Sequence, residues 1–231
     1  MLSLEALDVY YGETQVVFGA SLDVAAGEVV ALLGPNGAGK TTTLRAILGL
    51  TPARRGRVVF DGDDVTRAPT HEIARRGLSW VPDDRRVFPS LTAARNLSIA
   101  QRKTRFEPWP VERCCDLFPA LRHLLPRECE NMSGGELQMV SISRALVGAP
   151  GVVLLDEPSQ GLAPKVVQDV MRAIATLKAQ GVGVLVVDQN VRTVLAVADR
   201  VAVMRGGRIV HRVAASALRD DAAERSRWLG G

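Results

Sequence analysis

The chain has 231 residues, 47% of them hydrophobic and 23% charged, and a formal net charge of +4. This length admits one full core, or one core with a small appended subdomain, and the composition is that of a globular chain. No apolar run approaches the ~18 residues that cross a bilayer, and the three cysteines, Cys114, Cys115 and Cys129, have neither disulfide nor zinc spacing.

The first 27 residues read as short strands joined by turns (YYGET, AAGE), and 57–60 followed by DGDD reads the same way, so an antiparallel layer is expected. The opening MLSLEALDVYYG alternates like a strand and lacks the basic-then-apolar pattern of a signal peptide, which points to a cytosolic chain. Val29–Leu33 is a compact apolar run, the kind of strand covered on both faces in a parallel sheet. It runs into Gly34-Pro35-Asn36-Gly37-Ala38-Gly39-Lys40-Thr41-Thr42, with a helix expected over 41–49. The pattern G-x-x-x-x-G-K-[ST], between a strand and a helix, is a phosphate cradle. Glycines let backbone N–H groups curl around phosphate oxygens at the positive end of a helix. Lys40 would bridge the terminal phosphates of ATP, and the Thr41 hydroxyl would ligate Mg²⁺. The competing reading, a glycine turn that merely caps a helix, arises by chance in on the order of one chain in a hundred of this length.

Further along, the arginines come in pairs (Arg54 and Arg55, Arg75 and Arg76, Arg85 and Arg86) scattered among acids, and read mostly as solvated surface. No basic stripe is interleaved with aromatics, which argues against nucleic acid. Residues 88–148 read as mostly helical, broken into short pieces by Pro108, Pro110, Pro119 and Pro126. Within them Ser133-Gly134-Gly135-Glu136 precedes a helix over 137–146. Ser133 and Glu136 have capping-box spacing, yet two glycines are more than a cap requires and leave a second open helix N-terminus for an anion. The run 152–155 ends in Asp156 and Glu157. Parallel sheets bind ligands at the carboxyl ends of their strands. Beside a phosphate cradle, Asp156 would orient Mg²⁺ and Glu157 would polarise a water for attack on the γ-phosphate. Alone, the same LLDE would be a strand end followed by a solvated turn. A helix follows from Pro164, its apolar residues Val166, Val167, Val170, Met171, Ile174 and Leu177 recurring at three- and four-residue steps, and Gly181 ends it before a strand over 182–187.

The order of these parts resembles the ATP-binding cassette (ABC) ATPases, with SGGE as their signature loop. The resemblance spans the chain. It implies an α/β fold: a P-loop nucleotide-binding core (1–87 and 149–231), an N-terminal antiparallel β layer, and an inserted helical subdomain (88–148). It also implies a head-to-tail dimer in which Ser133, Gly134 and Gly135 close over ATP held by the partner's P-loop. Tyr11 matches the family's adenine-stacking aromatic, local packing on an edge strand being the other reading. Three positions depart from the family pattern: Asp83 for the usual Gln, Ala163 for Asp, and Gln189 for the switch His. VPDDRRVFPSLT, LLDEPSQGLAP, VVDQN and RWLGG are similar to the second ATPase subunit of branched-chain amino-acid importers, where an acid, an Ala and a Gln stand at those places. Asp83 remains a hard oxygen ligand suited to Mg²⁺, and Gln189 can hydrogen-bond a γ-phosphate without becoming cationic. The expected partners are a second, paralogous ATPase, membrane permease subunits and, indirectly, a solute-binding protein, with the chain peripheral on the cytoplasmic membrane face. Importers of urea or short amides, or a non-transport nucleotide-binding module, are the alternatives. Phe88, apolar in a polar loop, suits either a partner's helix or core packing.

Overall fold

A computed structural model describes residues 1–229; Gly230 and Gly231, the end of the RWLGG string, lie outside the described residues. β1 (Leu2–Tyr11) and β2 (Thr14–Val24) form the hairpin that YYGET predicts, Leu2 pairing with Val24 and Tyr11 with Thr14. β3 (Val29–Leu33), buried at every position, runs through the glycine loop into α1 (Lys40–Ile47). β4 (Arg55–Phe60) returns antiparallel to β1, and β5 (Asp63–Asp64) completes a four-stranded sheet of order β2-β1-β4-β5. After α2 (Thr70–Arg75) and β6 (Leu78–Val81) come the short helices expected between 88 and 148: α3 (Ala93–Ser98), α4 (Val111–Leu117), α5 (Leu121–Leu124) and the longer α6 (Gly134–Leu146). Proline cannot continue a helix but suits its start; Pro110 accordingly caps α4, and Pro119 separates α4 from α5. β7 (Val152–Asp156), α7 (Pro164–Ala179) and β8 (Gly183–Val187) make the parallel crossover. The chain ends with α8 (Val191–Leu195), β9 (Arg200–Arg205), β10 (Arg208–Ala214), α9 (Ala215–Asp220) and α10 (Ala222–Leu229).

The larger sheet has the order β10-β9-β3-β8-β7-β6, parallel throughout except for the β10 edge. Alternate residues of its central strands feed two separate cores. Ala31, Leu33, Val153, Leu155 and Val186 join the helices α4, α6 and α7 on one face. Leu32, Val152, Leu154, Leu185 and Val187 join α1 and the antiparallel sheet on the other. This double coverage is why β3, β7 and β8 read as unbroken apolar runs rather than alternating ones. The helical segment shares the first core and buries all three thiols, Cys114, Cys115 and Cys129. Burial, with Cys115 alongside, pushes the Cys114 thiol up to about 12; burial also raises Cys115 and Cys129. No helix among the described residues is long and apolar enough to cross a membrane. For function, the topology matters at one edge: the carboxyl ends of β3, β6, β7 and β8 lie together.

Candidate active site

Each of those four strand ends delivers one part of the site. From β3, the glycine loop wraps the amine of Lys40, which donates to the carbonyls of Gly34 (2.8 Å) and Pro35 (3.0 Å). Burial lowers the Lys40 pKa from its ordinary value, against the opposing pull of Glu157, Asp156 and Asp188. The loop can only take this course with glycine at its head. A Cβ on Gly34 would stand 2.1 Å from the Met204 carbonyl oxygen, so the backbone runs against β9 with no room for a side chain. The loop opens on a cavity of about 380 Å³ whose lining includes Asn36, Gly37, Gly39, Lys40, Thr41 and Thr42, together with Val16.

From β7 come the two carboxylates. Asp156 is 1% exposed, and its Oδ1 accepts a hydrogen bond from the Thr41 hydroxyl at 3.1 Å. Its Oδ2 is buried with no partner, and a buried, unpaired carboxylate oxygen is costly. Burial raises the Asp156 pKa to about 6; the nearby Asp83 and Glu157 charges add to the rise, while the Thr41 bond and Lys40 oppose it. A hydroxyl and an unsatisfied carboxylate oxygen form a donor set that fits a hard divalent cation. Glu157 follows with φ of +47°, a conformation uncommon outside glycine that turns its side chain into the cavity. Its backbone N–H donates to the Val187 carbonyl at 2.7 Å and so fixes the turn against β8.

β8 supplies Gln189, and here the site closes on itself. The Gln189 amide donates to both carboxylate oxygens of Glu157, at 2.9 and 2.8 Å. Just before it, the buried Asp188 accepts from the Ser159 N–H (3.1 Å), the Ser159 hydroxyl (2.9 Å) and the Asn190 N–H (2.8 Å). Asp188 thereby ties the loop after Glu157 to the loop after β8. Sequence reasoning missed it, although a buried acid one residue past a core strand is the available signal. From β6, Asp83 lines the same cavity, with its Oδ1 held by the Asp84 N–H.

The structure thus brings the P-loop residues, Asp83, Asp156, Glu157 and Gln189 together, while Ala38 is buried beneath the loop. It does not bring the signature loop there. Ser133 caps α6 in a complete capping box with Glu136, whose pKa falls because it accepts the Ser133 backbone N–H. Ser133, Gly134 and Gly135 are absent from the cavity lining. Tyr11 is 44% exposed beside Thr42, Arg45 and Thr51, outside the lining, where Val16 stands instead. Arg85 departs from the solvated reading given to the paired arginines. It is half-buried, and its Nε donates to Gln138 of α6 at 3.0 Å. On the far side of β6, a second cavity of about 210 Å³ is lined by Leu50, Trp80, Ala100, Arg102 and Arg144. Phe88, 51% exposed, and Ile99 add apolar surface, and the Arg144 guanidinium lies 5.6 Å from the Phe88 ring.

Comparison with known proteins gives the family. The ABC transporter family profile matches residues 17–160. The high-affinity branched-chain amino acid transport ATP-binding protein BraG of Pseudomonas aeruginosa is 39% identical over 233 aligned residues, covering 100% of both chains. The lipopolysaccharide export system ATP-binding protein LptB of Escherichia coli is 37% identical, covering 97% of this chain and 95% of that one. Among solved structures, the ADP conformation of MJ1267, an ATP-binding cassette of an ABC transporter, superposes with a TM-score of 0.82 at 28% identity, covering 100% and 99% of the two chains. A dimeric post-hydrolysis cassette, MJ0796 bound to ADP and Pi, gives 0.82 at 25% identity. The chain belongs to the ABC transporter family, as one of its ATP-hydrolysing cassettes.

Proposed function

We propose that this chain is one of two ATPase subunits powering an importer of branched-chain or other hydrophobic amino acids through separate membrane subunits. The observation that carries the enzymatic part is the meeting of Lys40, Thr41, Asp156 and Glu157 at adjoining strand ends. The full-length match to BraG supports the solute class. Lys40 leaves its two carbonyls for the phosphates of ATP, and the loop N–H groups hold the remaining oxygens. Thr41, Asp156 and Asp83 would hold Mg²⁺, which when bound neutralises phosphate charge. Glu157 accepts a proton from the attacking water. Gln189 now occupies both Glu157 oxygens, so it must turn away, toward the γ-phosphate, before Glu157 can act. Ser133, Gly134 and Gly135 complete the site of the partner ATPase. The groove lined by Leu50, Trp80 and Arg144, with Phe88 at its rim, receives a segment of the membrane subunit.

The LptB relatives, at nearly the same identity over nearly the whole chain, favour a second reading: lipopolysaccharide export. Reconstitution with the cognate membrane subunits in vesicles separates the two. Stimulation of ATPase by a binding protein loaded with leucine, isoleucine or valine supports import. Stimulation only by urea-loaded binding protein, or only by lipopolysaccharide, overturns the amino-acid reading while leaving the ATPase intact.

A further inference from the structure

Arg85 sits two residues past Asp83, with φ of +61°, in the left-handed region that favours glycine. A non-glycine residue there has a backbone cost. The Arg85 side chain makes three contacts on two elements, α6 and the loop that follows Glu157. Nε donates to Oε1 of Gln138 (3.0 Å), one turn into α6. Nη2 donates to the Gln160 carbonyl (3.1 Å), in the loop that follows Glu157. The guanidinium also lies over Gly134, where an added Cβ would stand 3.3 Å from Nη1. Its own carbonyl accepts the Ser141 hydroxyl at 2.8 Å, a second grip on α6. Gln138 is 2% exposed, and its amide nitrogen has no partner. Arg85 is therefore the only polar contact of that side chain among the described residues. Both neighbours of this tie, Asp83 and Gln160, line the nucleotide cavity; Gly134 and α6 carry the signature loop.

We propose that Arg85 is the positioning residue that couples the contents of this chain's nucleotide cavity to the orientation of its signature loop. Any shift of Asp83 or of the loop after Glu157 on nucleotide binding is passed through one rigid guanidinium to α6. A planar fork can span two acceptors on different elements; a lysine ammonium cannot reach both in the same geometry. Arg85 touches no phosphate in this scheme. The inference rests on the signature loop acting across the dimer, as proposed above.

The test uses the assembled ATPase complex and measures kcat, KM for ATP and the thermal midpoint of each variant. Arg85→Gly keeps the backbone comfortable at φ of +61° and removes only the side chain. It should lower kcat by roughly ten- to a hundredfold, the worth of lost charge-assisted bonds in the transition state. KM should stay within about twofold; the midpoint should fall modestly, because the buried Gln138 loses its one polar partner while glycine relieves the backbone. Arg85→Lys should be no better. Gln138→Met should lower kcat as well, and the double variant should be no worse than Arg85→Gly alone. If kcat, measured well below the variant's midpoint, is unchanged in Arg85→Gly, or the loss is matched by weaker ATP binding, the coupling role is overturned. Additive losses with Gln138→Met also overturn it. Ser133→Glu serves as the control: full activity there refutes the signature reading itself. Loss in Ser133→Glu with an active Arg85→Gly refutes only the coupling.

Discussion

Asp156 has two oxygens and one partner. Its Oδ1 takes the Thr41 hydroxyl and its Oδ2 takes nothing, in a place that is 1% exposed. The folded-state pKa near 6 stands above the ordinary 3.8, so the sign of the pH effect is fixed. Below about pH 4, folded and unfolded chains both carry the proton and the burial costs nothing. Between about pH 4 and 6 the unfolded chain gives up this proton while the folded one keeps it, so the nucleotide-free protein loses stability, by at most ~3 kcal/mol, and above about 6 the loss is complete. Asp156→Asn removes that cost. It should raise the thermal midpoint of the nucleotide-free chain at pH 8 and leave it unchanged near pH 4, as read by calorimetry. A midpoint that falls at pH 8 would show that the carboxylate is already paid for by a neighbour. At this scale the sequence was informative where chemistry is local. The glycine loop, Lys40 and Thr41 are contiguous, and a cradle built from successive backbone N–H groups needs no distant partner. Arg85 and Asp188 were opaque for the opposite reason: their partners Gln138 and Ser159 lie 53 and 29 residues away.

At the scale of elements, α7 begins without a side-chain cap. Ala163 has the extended N-cap conformation (φ −63°, ψ 147°) and Pro164 follows, but a methyl group accepts nothing from the first turn. The opposite case is α6, where Ser133 and Glu136 cap each other, as their spacing predicts. Ala163→Asp should therefore stabilise the chain by ~0.5–2 kcal/mol, the usual worth of an N-cap. Chemical denaturation at neutral pH checks this, and no gain would mean that the N–H groups of that turn are already satisfied. The strands and helices of the core were readable because two-sided burial writes itself as apolar runs and α7 writes its buried stripe at three- and four-residue steps. The short helices between 88 and 148 were readable as helix but not in their bounds, since prolines fix where a helix starts better than where the next one packs. The course of Tyr11 past α1, outside the cavity, is a tertiary outcome that no periodicity encodes.

The whole molecule has two faces with unfinished business. One is the groove beside Phe88, where three large apolar residues, Leu50, Phe88 and Ile99, are about half exposed. Exposed apolar clusters of this sort mark interaction sites. Phe88→Asp should release the chain from membranes carrying the cognate permease while nucleotide affinity stays within about threefold; retention on the membrane would place the docking surface elsewhere. The other is the nucleotide cavity, which in the function proposed above is completed by a partner's signature loop. Asp83 and Gln189 line this chain's own cavity, and each lacks a bonding option of the residue usual in the family. We expect a heterodimer whose two sites turn over unequally, this chain's being slower by one to two decades. Glu157→Gln and the matching change in the partner ATPase, placed separately, should then cost different amounts of transport-coupled hydrolysis. Equal losses, or a fully active homodimer, would end that expectation.

All three thiols lie in the helical segment and none in the nucleotide-binding core. Each is buried and held in the unreactive protonated form. The chain consequently carries its own reporter of subdomain opening. A thiol reagent should label the native protein only as fast as the helices of this segment part from one another, since Cys114 lies against the Ser143 carbonyl of α6, Cys129 takes the Asn96 amide of α3, and the core contributes no background. Comparing labelling rates of the nucleotide-free and ATP-bound protein, with no engineered probe, reads that one motion in isolation; labelling at the rate of a free thiol would show that the segment is open already.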